Sequence, residues 1–204
     1  IKLQPVRMKY KDYTLNLIDT PGHVDFNYEV SRSLAAVESV ILLVDASQGV
    51  QAQTIANLYL AWEQDLEIIP VLNKIDLPNV DIDKRKLELA ELLGCDLDDI
   101  LACSAKTGEG VTDVLDAVVE NTPPPQIEPQ SEKLKALIFD SHYDDYRGVV
   151  ASVRIISGEA KEKDKIRMMK SGAESKILGT GCHTPQMIEK DKLETGQIGY
   201  ITTD

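Results

Sequence analysis

The stretch SVILLVDASQGVQAQTIANLYLAWEQDLEIIPVLNKID, residues 39–76, decides the fold class, because it has the pattern of a strand, a helix and a second strand. Segments 39–45 and 67–73 are short apolar runs of the kind found in strands that are buried on both faces. Between them, residues 51–64 carry an apolar stripe at helical spacing, which predicts a helix with a buried face. The members of that stripe are Ile55, Leu58, Tyr59 and Trp62.

The same alternation continues on both sides of this stretch. Segments 13–19 and 99–104 have the pattern of further strands, and the amphipathic segments 25–36, 83–93 and 111–121 have that of helices. Strands that alternate with helices predict a mostly parallel sheet joined by crossover helices. The expected fold class of this half is therefore α/β, with helices on both faces of the sheet.

A proline-rich segment, NTPPPQIEPQSE at residues 121–132, interrupts the alternation. Consecutive prolines end a helix and favour an extended spacer. Beyond it the chain consists of short strand-like segments separated by polar or glycine-containing turns, which is typical of a small antiparallel barrel. The predicted organisation is an α/β domain at 1–122, a linker at 123–132 and an all-β barrel at 133–204.

The composition describes an ordinary globular chain of 204 residues, 43% hydrophobic and 27% charged, with a formal net charge of −12. Residues 1–125 carry −11 of this charge and residues 126–204 carry −1. Such an acidic chain is a poor general binder of polyanions, so DNA is not an expected partner and any RNA contact should be local. Three widely spaced cysteines without CxxC spacing predict neither a disulfide framework nor a zinc site.

Polar signals follow three of the predicted strands, at Asp19, Asn73 and Ser104. In an open α/β sheet, ligands bind beyond the carboxyl ends of the strands. Asp-x-x-Gly occurs about once by chance in a chain of this length, whereas Asn-Lys-x-Asp is expected in about one such chain in thirty. Finding both at strand ends, with Ser-Ala-Lys at a third end, predicts a nucleotide site.

The first signal, Asp19-Thr20-Pro21-Gly22-His23, has the chemistry of a phosphate site. Asp19 could hold a hydrated Mg²⁺, usually through water, and Gly22 would let a backbone N–H approach a terminal phosphate. His23 follows directly, where a side chain that positions the attacking water would lie. The alternatives are a simple strand-ending turn and an exposed loop histidine.

The second and third signals suit a purine base. A carboxylate at Asp76 can accept two parallel hydrogen bonds from guanine, which adenine cannot supply, and Asn73 would complete the base site. The stem of Lys74 could lie over the base, and the loop Ser104-Ala105-Lys106 would offer a backbone N–H to the guanine carbonyl. The alternatives are that Asp76 caps a helix and that the Ser104 loop is only a turn with a cap.

The segments DTPGH, NKID and SAK together resemble the GTPase signatures of translational elongation factors. Residues 19–61 and 138–154 resemble the LepA family, also called elongation factor 4. Elongation factor G is similar over DTPGHVDF but departs at YEVSRSLAA and QAQTIANLYLA. The resemblance covers essentially the whole chain.

This resemblance implies a ribosome-dependent GTPase that hydrolyses GTP to GDP with Mg²⁺ and acts on stalled ribosomes by back-translocation. It implies that Asp19 helps to hold Mg²⁺, that Gly22 senses the γ-phosphate and that His23 positions the hydrolytic water. It also implies that residues 134–204 dock on the small ribosomal subunit, with ribosomal RNA and proteins as partners. The expected protein is a monomer of the bacterial cytoplasm, partly peripheral at the inner membrane.

The sequence departs from the family in one respect, because it contains no G-x-x-x-x-G-K-[ST] motif. The expectation is a fragment whose first segment, IKLQPVRMKY, is the strand that follows the family's first switch. Alone, this chain should bind GTP weakly and hydrolyse it negligibly. The alternatives are a non-catalytic module that binds ribosomes or guanine nucleotides, and a factor of the elongation factor G type.

The segment KEKDKIRMMK, residues 161–170, carries net positive charge. Its lysines either protect a solvated edge strand or contact the phosphates of ribosomal RNA.

Overall fold

The computed structural model describes residues 3–22, 26–126 and 133–203. Contacts between residues divide the chain into two compact units. The described part of the first unit is 3–21, 28–36, 125–126 and 133–203, and that of the second is Gly22, 26–27 and 37–124. The predicted domain boundaries stay a prediction, since most of the predicted linker lies outside the described residues.

Strands and helices alternate along residues 13–121, as the sequence predicts. The helices are α1 (Asn27–Leu34), α2 (Ala52–Glu63), α3 (Ile82–Leu93) and α4 (Val111–Asn121). The strands up to α4 are β1 (Gln4–Tyr10), β2 (Tyr13–Asp19), β3 (Ser39–Asp45), β4 (Glu67–Asn73) and β5 (Leu101–Ala102). The remaining strands are β6 (Lys135–Asp144), β7 (Gly148–Ser157), β8 (Glu159–Lys161), β9 (Lys165–Arg167), β10 (Glu174–His183), β11 (Met187–Lys190), β12 (Lys192–Glu194) and β13 (Ile198–Thr203).

The second unit is built on a parallel sheet in the order β3-β4-β5. Alternate residues of β4 point to opposite faces, so Leu72 packs with Leu58 of α2 and Leu89 of α3, while Val71 packs with Val114 of α4. The sheet therefore carries helices on both faces, and the predicted α/β class is confirmed for this unit.

The helix stripe predicted in 51–64 is only partly buried. Leu58 is completely buried, but Tyr59 and Trp62 are 59% and 43% exposed. Their rings pack edge to face, with centroids 5.5 Å apart. The prediction that both aromatic residues belong to the core is therefore wrong, because α2 buries a narrower stripe than its apolar content suggests.

In the first unit, β1 and β2 form a two-stranded antiparallel sheet that runs from the pair Gln4–Asp19 to the pair Tyr10–Tyr13. The strand predicted in the opening segment is thus present as β1. This hairpin places Asp19 at the free end of β2, directly before Thr20.

The β-rich part of the first unit contains a sheet in the order β11-β10-β13-β7-β6, to which β9 is added through β10, and a separate pair of β8 and β12. Its core includes Val153, Ile155, Ile177 and Leu193, all completely buried. These pairings confirm an antiparallel β-rich region. Within the described ranges, no helix has the length and apolar character needed to cross a bilayer.

His183 belongs to the β-rich part of the first unit. It lies near the end of β10, half buried, with its ring 5.3 Å from that of Tyr200. Burial, with a smaller contribution from His142, lowers the pKa of His183.

Candidate functional site

The carboxyl ends of the parallel strands bring polar side chains of the second unit together. In the register of β3 and β4, Asp45 lies opposite Asn73. The side-chain oxygen Oδ1 of Asn73 accepts hydrogen bonds from the backbone N–H of Lys74 at 2.7 Å and of Ala105 at 3.0 Å. Cys103 directs its thiol toward the same oxygen at 3.9 Å. Asn73 therefore ties the loop after β4 to the loop after β5.

A second link between these loops joins Asp76 to Ser104. The Ser104 hydroxyl donates to Oδ1 of Asp76 at 2.7 Å and accepts from the Thr107 N–H at 3.1 Å. Ser104 is completely buried, and the Asp76 side chain is 14% exposed. The other carboxylate oxygen, Oδ2, lies 3.9 Å from the ammonium of Lys106, whose side chain is 82% exposed. Ser104 thus fixes one oxygen of the carboxylate, while the other faces only a solvated cation.

The alternative assignment of Asp76 as a helix cap is wrong. The helix that follows begins at Ile82, and its N-cap is Asp81, whose carboxylate accepts from the Lys84 N–H at 3.0 Å. The alternative for Ser104 is partly present, since its contact with the Thr107 N–H stabilises a turn. That turn contact leaves the hydroxyl hydrogen available for the Asp76 carboxylate.

Lys74 adopts a left-handed backbone conformation, with φ of +68°, which a residue with a Cβ rarely does. Its ammonium donates to Oδ2 of Asp45 at 2.6 Å, and its side chain remains 52% exposed. Burial alone would raise the pKa of Asp45, but the hydrogen bonds from Lys74 and Ser47 outweigh it and lower the pKa to about 2. Asp45 therefore stays ionised at every pH near neutrality.

Asp45 is the residue of this cluster that the sequence reasoning did not include. The signal was available, because Asp45 ends the apolar run 39–45 as Asn73 ends the run 67–73. Parallel strands of equal length in register bring such terminal residues side by side.

The predicted phosphate residues lie elsewhere in the chain. Asp19 is exposed at the end of β2, Thr20 is half buried and Pro21 is buried, all in the first unit. Gly22 is exposed, and a Cβ added there would meet no described atom within 4 Å. His23 lies outside the described residues, and its predicted role stays a prediction. Within 3–22, 26–126 and 133–203, no group of three or more His, Cys, Asp or Glu side chains could hold a metal ion.

Six predicted residues are brought together by the second unit. They are Asn73, Lys74, Asp76, Ser104, Ala105 and Lys106. The cluster combines three features: a carboxylate held in one orientation, a lysine whose ammonium is held by an ion pair, and backbone N–H groups. This set of hydrogen-bond donors and acceptors suits the edge of a purine base.

A protein-family comparison agrees with the class that this fold and cluster define. The family model described as the elongation factor Tu GTP binding domain matches residues 1–124, so the chain belongs to this family. Among individual proteins, the chain is 55% identical to elongation factor 4 of Aquifex aeolicus and 57% identical to elongation factor 4 of Rubrobacter xylanophilus, each over 98% of its length. The predicted resemblance to the elongation factor 4 family is confirmed.

The chain spans about a third of the length of these curated relatives, 34% in both cases. Among solved structures, a bacterial selenocysteine-specific elongation factor, EF-Sec, superimposes with a TM-score of 0.78 over 99% of this chain and 35% of its own. Its sequence identity of 23% supports the shared fold alone.

Proposed function

We propose that this chain is the guanine-nucleotide-binding part of a ribosome-dependent translational GTPase of the elongation factor 4 type. The observation that supports it most directly is the Asp76 carboxylate, whose Oδ1 is held by the Ser104 hydroxyl at 2.7 Å while Oδ2 lies 3.9 Å from the Lys106 ammonium, beyond hydrogen-bond range. Holding an acceptor in one orientation before the ligand arrives lowers the ordering cost of binding.

The base is recognised by a carboxylate that accepts from the N1–H and the 2-amino group of guanine. Adenine has neither donor and would leave the Asp76 carboxylate unpaired in a site that is 14% exposed. The Ala105 N–H, which now donates to Asn73, would have to be shared with the guanine carbonyl, or the neighbouring N–H of Lys106 would serve instead. The stem of Lys74 covers one face of the base.

On the phosphate side, Asp19 would hold Mg²⁺ through water, and the ion would supply positive charge to neutralise the phosphates. Asp19 fits this role as an exposed carboxylate at a strand end, free to reach a hydrated ion. Thr20 and Pro21 shape the loop, Gly22 offers its N–H to the γ-phosphate, and His23 orients the attacking water. We propose that this chain alone hydrolyses GTP negligibly, since the printed sequence contains no phosphate-cradling G-x-x-x-x-G-K-[ST] loop.

The β-rich region is proposed to be the barrel that contacts ribosomal RNA and proteins of the small subunit. The whole protein would be a monomer in the bacterial cytoplasm, partly peripheral at the inner membrane. It would act on stalled ribosomes by back-translocation. These roles rest on the similarity to elongation factor 4.

The decisive test exchanges Asp76 for Asn and compares GDP with xanthosine diphosphate. The amide can donate to the 2-oxo group of xanthine, so Asp76→Asn should prefer xanthosine diphosphate while the unaltered chain prefers GDP. Asp81→Asn is the matched control, because asparagine also caps helices and the nucleotide preference should not move. An Asp76→Asn protein with unchanged preference would refute the base site.

Calorimetry with GTP and Mg²⁺ tests the proposal that the isolated chain is inactive. We expect weak binding and negligible turnover. Micromolar affinity together with turnover that is abolished by His23→Ala would contradict it.

A further inference from the structure

Asp45 is bonded through both of its carboxylate oxygens. Oδ1 accepts from the backbone N–H of Ser47 at 2.8 Å and from its hydroxyl at 2.6 Å, while Oδ2 accepts from the ammonium of Lys74 at 2.6 Å. The Asp45 carbonyl also accepts from the N–H groups of Gln48 and Gly49, at 3.0 and 2.8 Å. The Ser47 contacts therefore hold one carboxylate oxygen, Oδ1, while the other oxygen, Oδ2, accepts from Lys74.

The turn that carries Asp45 is itself held by Arg85 of α3. The Arg85 guanidinium donates to the carbonyl of Ala46 at 3.1 Å and to that of Ser47 at 3.4 Å. Glu88 holds the same guanidinium through both carboxylate oxygens, at 2.8 and 3.0 Å. A packed helix thus fixes the position of Asp45 relative to the sheet.

Lys74 is fixed at its other end by its backbone. Its N–H donates to Oδ1 of Asn73 at 2.7 Å, and its φ of +68° lies in the left-handed region, so the backbone does not continue as a strand at this residue. With the backbone and the ammonium both held, the four-carbon stem between them has few conformations left, although it is half exposed. A free lysine would have to lose that rotamer freedom on binding a ligand.

We propose that Asp45 is a positioning residue for the guanine site, which acts by holding the Lys74 stem as a preformed wall for the base. The inference rests on the proposed guanine-nucleotide function. Asp45, at the end of β3, would raise the affinity for the nucleotide by positioning Lys74, without touching the nucleotide itself.

The test measures GDP affinity of the full chain by titration, for Asp45→Asn, Lys74→Met and the double variant. Asparagine keeps an oxygen for Ser47 and loses the acceptor for Lys74, so Asp45→Asn should weaken GDP binding about 3- to 10-fold, the range for ordering one long side chain. In the Lys74→Met background, Asp45→Asn should change the affinity by less than about twofold, because the side chain through which it acts is absent.

Two further variants separate positioning from general damage. Asp65→Asn removes the same charge at an exposed turn before β4, in a left-handed conformation that asparagine accepts, and should leave GDP affinity unchanged. Asp45→Glu keeps a carboxylate within reach of Lys74 and should retain most of the affinity, also if Asp45→Asn fails to fold.

The outcomes distinguish this inference from the proposed function. Unchanged or tighter GDP binding by Asp45→Asn, or losses that add in the double variant, would overturn the positioning role while the Asp76→Asn preference test still stands. No GDP binding by the unaltered chain at any accessible concentration would overturn both.

Discussion

Replacing Ser104 with alanine is the substitution that bears most directly on the candidate site, because one hydroxyl holds both its carboxylate and its loop. The hydroxyl donates to Asp76 at 2.7 Å and accepts from the Thr107 N–H at 3.1 Å. Ser104→Ala removes both contacts at once, at a position with no exposed surface. We expect a loss of stability and a loss of GDP affinity from the same change.

The magnitude follows from the charge of the partner. A hydrogen bond to a charged group contributes about 1.5–3 kcal/mol, and loss of the partly buried hydrogen bond from the Thr107 N–H adds to the cost. Because the Asp76 side chain is 14% exposed, water can replace part of the lost hydrogen bond. The expected reduction in the free energy of unfolding is therefore about 2 kcal/mol.

Ser39→Ala provides a matched control in the same unit. The Ser39 hydroxyl lies 2.7 Å from the hydroxyl of Thr122, so the same substitution breaks a neutral, partly buried hydrogen bond. Such bonds contribute about 0.5–1.5 kcal/mol, and this one touches no residue of the site. Ser39→Ala should cost about 1 kcal/mol and leave GDP affinity unchanged.

Trp62 makes the measurement specific to the unit that carries the site. It is the single tryptophan of the chain and belongs to α2 of the second unit. Denaturant titration followed by its fluorescence therefore reports the unfolding of that unit. If Ser104→Ala costs no more than Ser39→Ala, or if GDP affinity survives intact, the reasoning that Ser104 orients Asp76 is refuted.

Three other perturbations follow from the same contacts. Gly49→Ala should destabilise the second unit by about 2 kcal/mol in the same fluorescence assay, since Gly49 has φ of +73°, a backbone conformation that strains an alanine. A Cβ would also lie 2.8 Å from the guanidinium carbon of Arg85 and displace that side chain from the turn it holds. No loss of stability would contradict the left-handed conformation of Gly49. The pKa of Asp45 is lowered to about 2, so its contribution to stability should be complete above about pH 4 and disappear as the pH falls toward 2. In unfolding titrations from pH 5 downward, the difference in free energy of unfolding between the unaltered chain and Asp45→Asn should therefore shrink. A difference that grows as the pH falls would contradict a lowered pKa. Charge reversal of Lys163 and Lys165 should weaken ribosome binding and reduce its salt dependence if these lysines contact RNA phosphates. An unchanged salt dependence would instead favour lysines that only protect the edge strand β9, which pairs with β10 alone among the described strands.

The alternation of strands and helices could be predicted because burial on both faces of a sheet requires near-continuous apolar runs. Segments 39–45 and 67–73 match β3 and β4 residue for residue. The short strands of the β-rich region were harder to predict: β8, β11 and β12 have three or four residues each, too few for a period of two to be visible.

The grouping of Asn73, Asp76 and Ser104 could be predicted for a different reason, since polar residues that follow neighbouring parallel strands meet at the same edge of the sheet. The pairing of Ser104 with Asp76 and of Lys74 with Asp45 was not predictable, because both depend on side-chain geometry across separate loops. Tyr59 and Trp62 show what an apolar pattern does not predict, which is the burial of each residue in it. Apolar spacing locates a helix, but how much of the stripe is buried depends on the width of the sheet beneath it.

The hydrogen bonds of the base cluster close on themselves within the second unit. Asn73 joins two loops, Ser104 holds one oxygen of Asp76, and Asp45 holds Lys74, all within this unit. Side chains that are already held by hydrogen bonds before a ligand arrives have little conformational freedom left to lose, so these contacts lower the entropy cost of binding a base. In the proposed function, selectivity for guanine and affinity for phosphate rest on separate parts of the chain. The first should therefore survive substitutions at Asp19 and Gly22 that abolish the second.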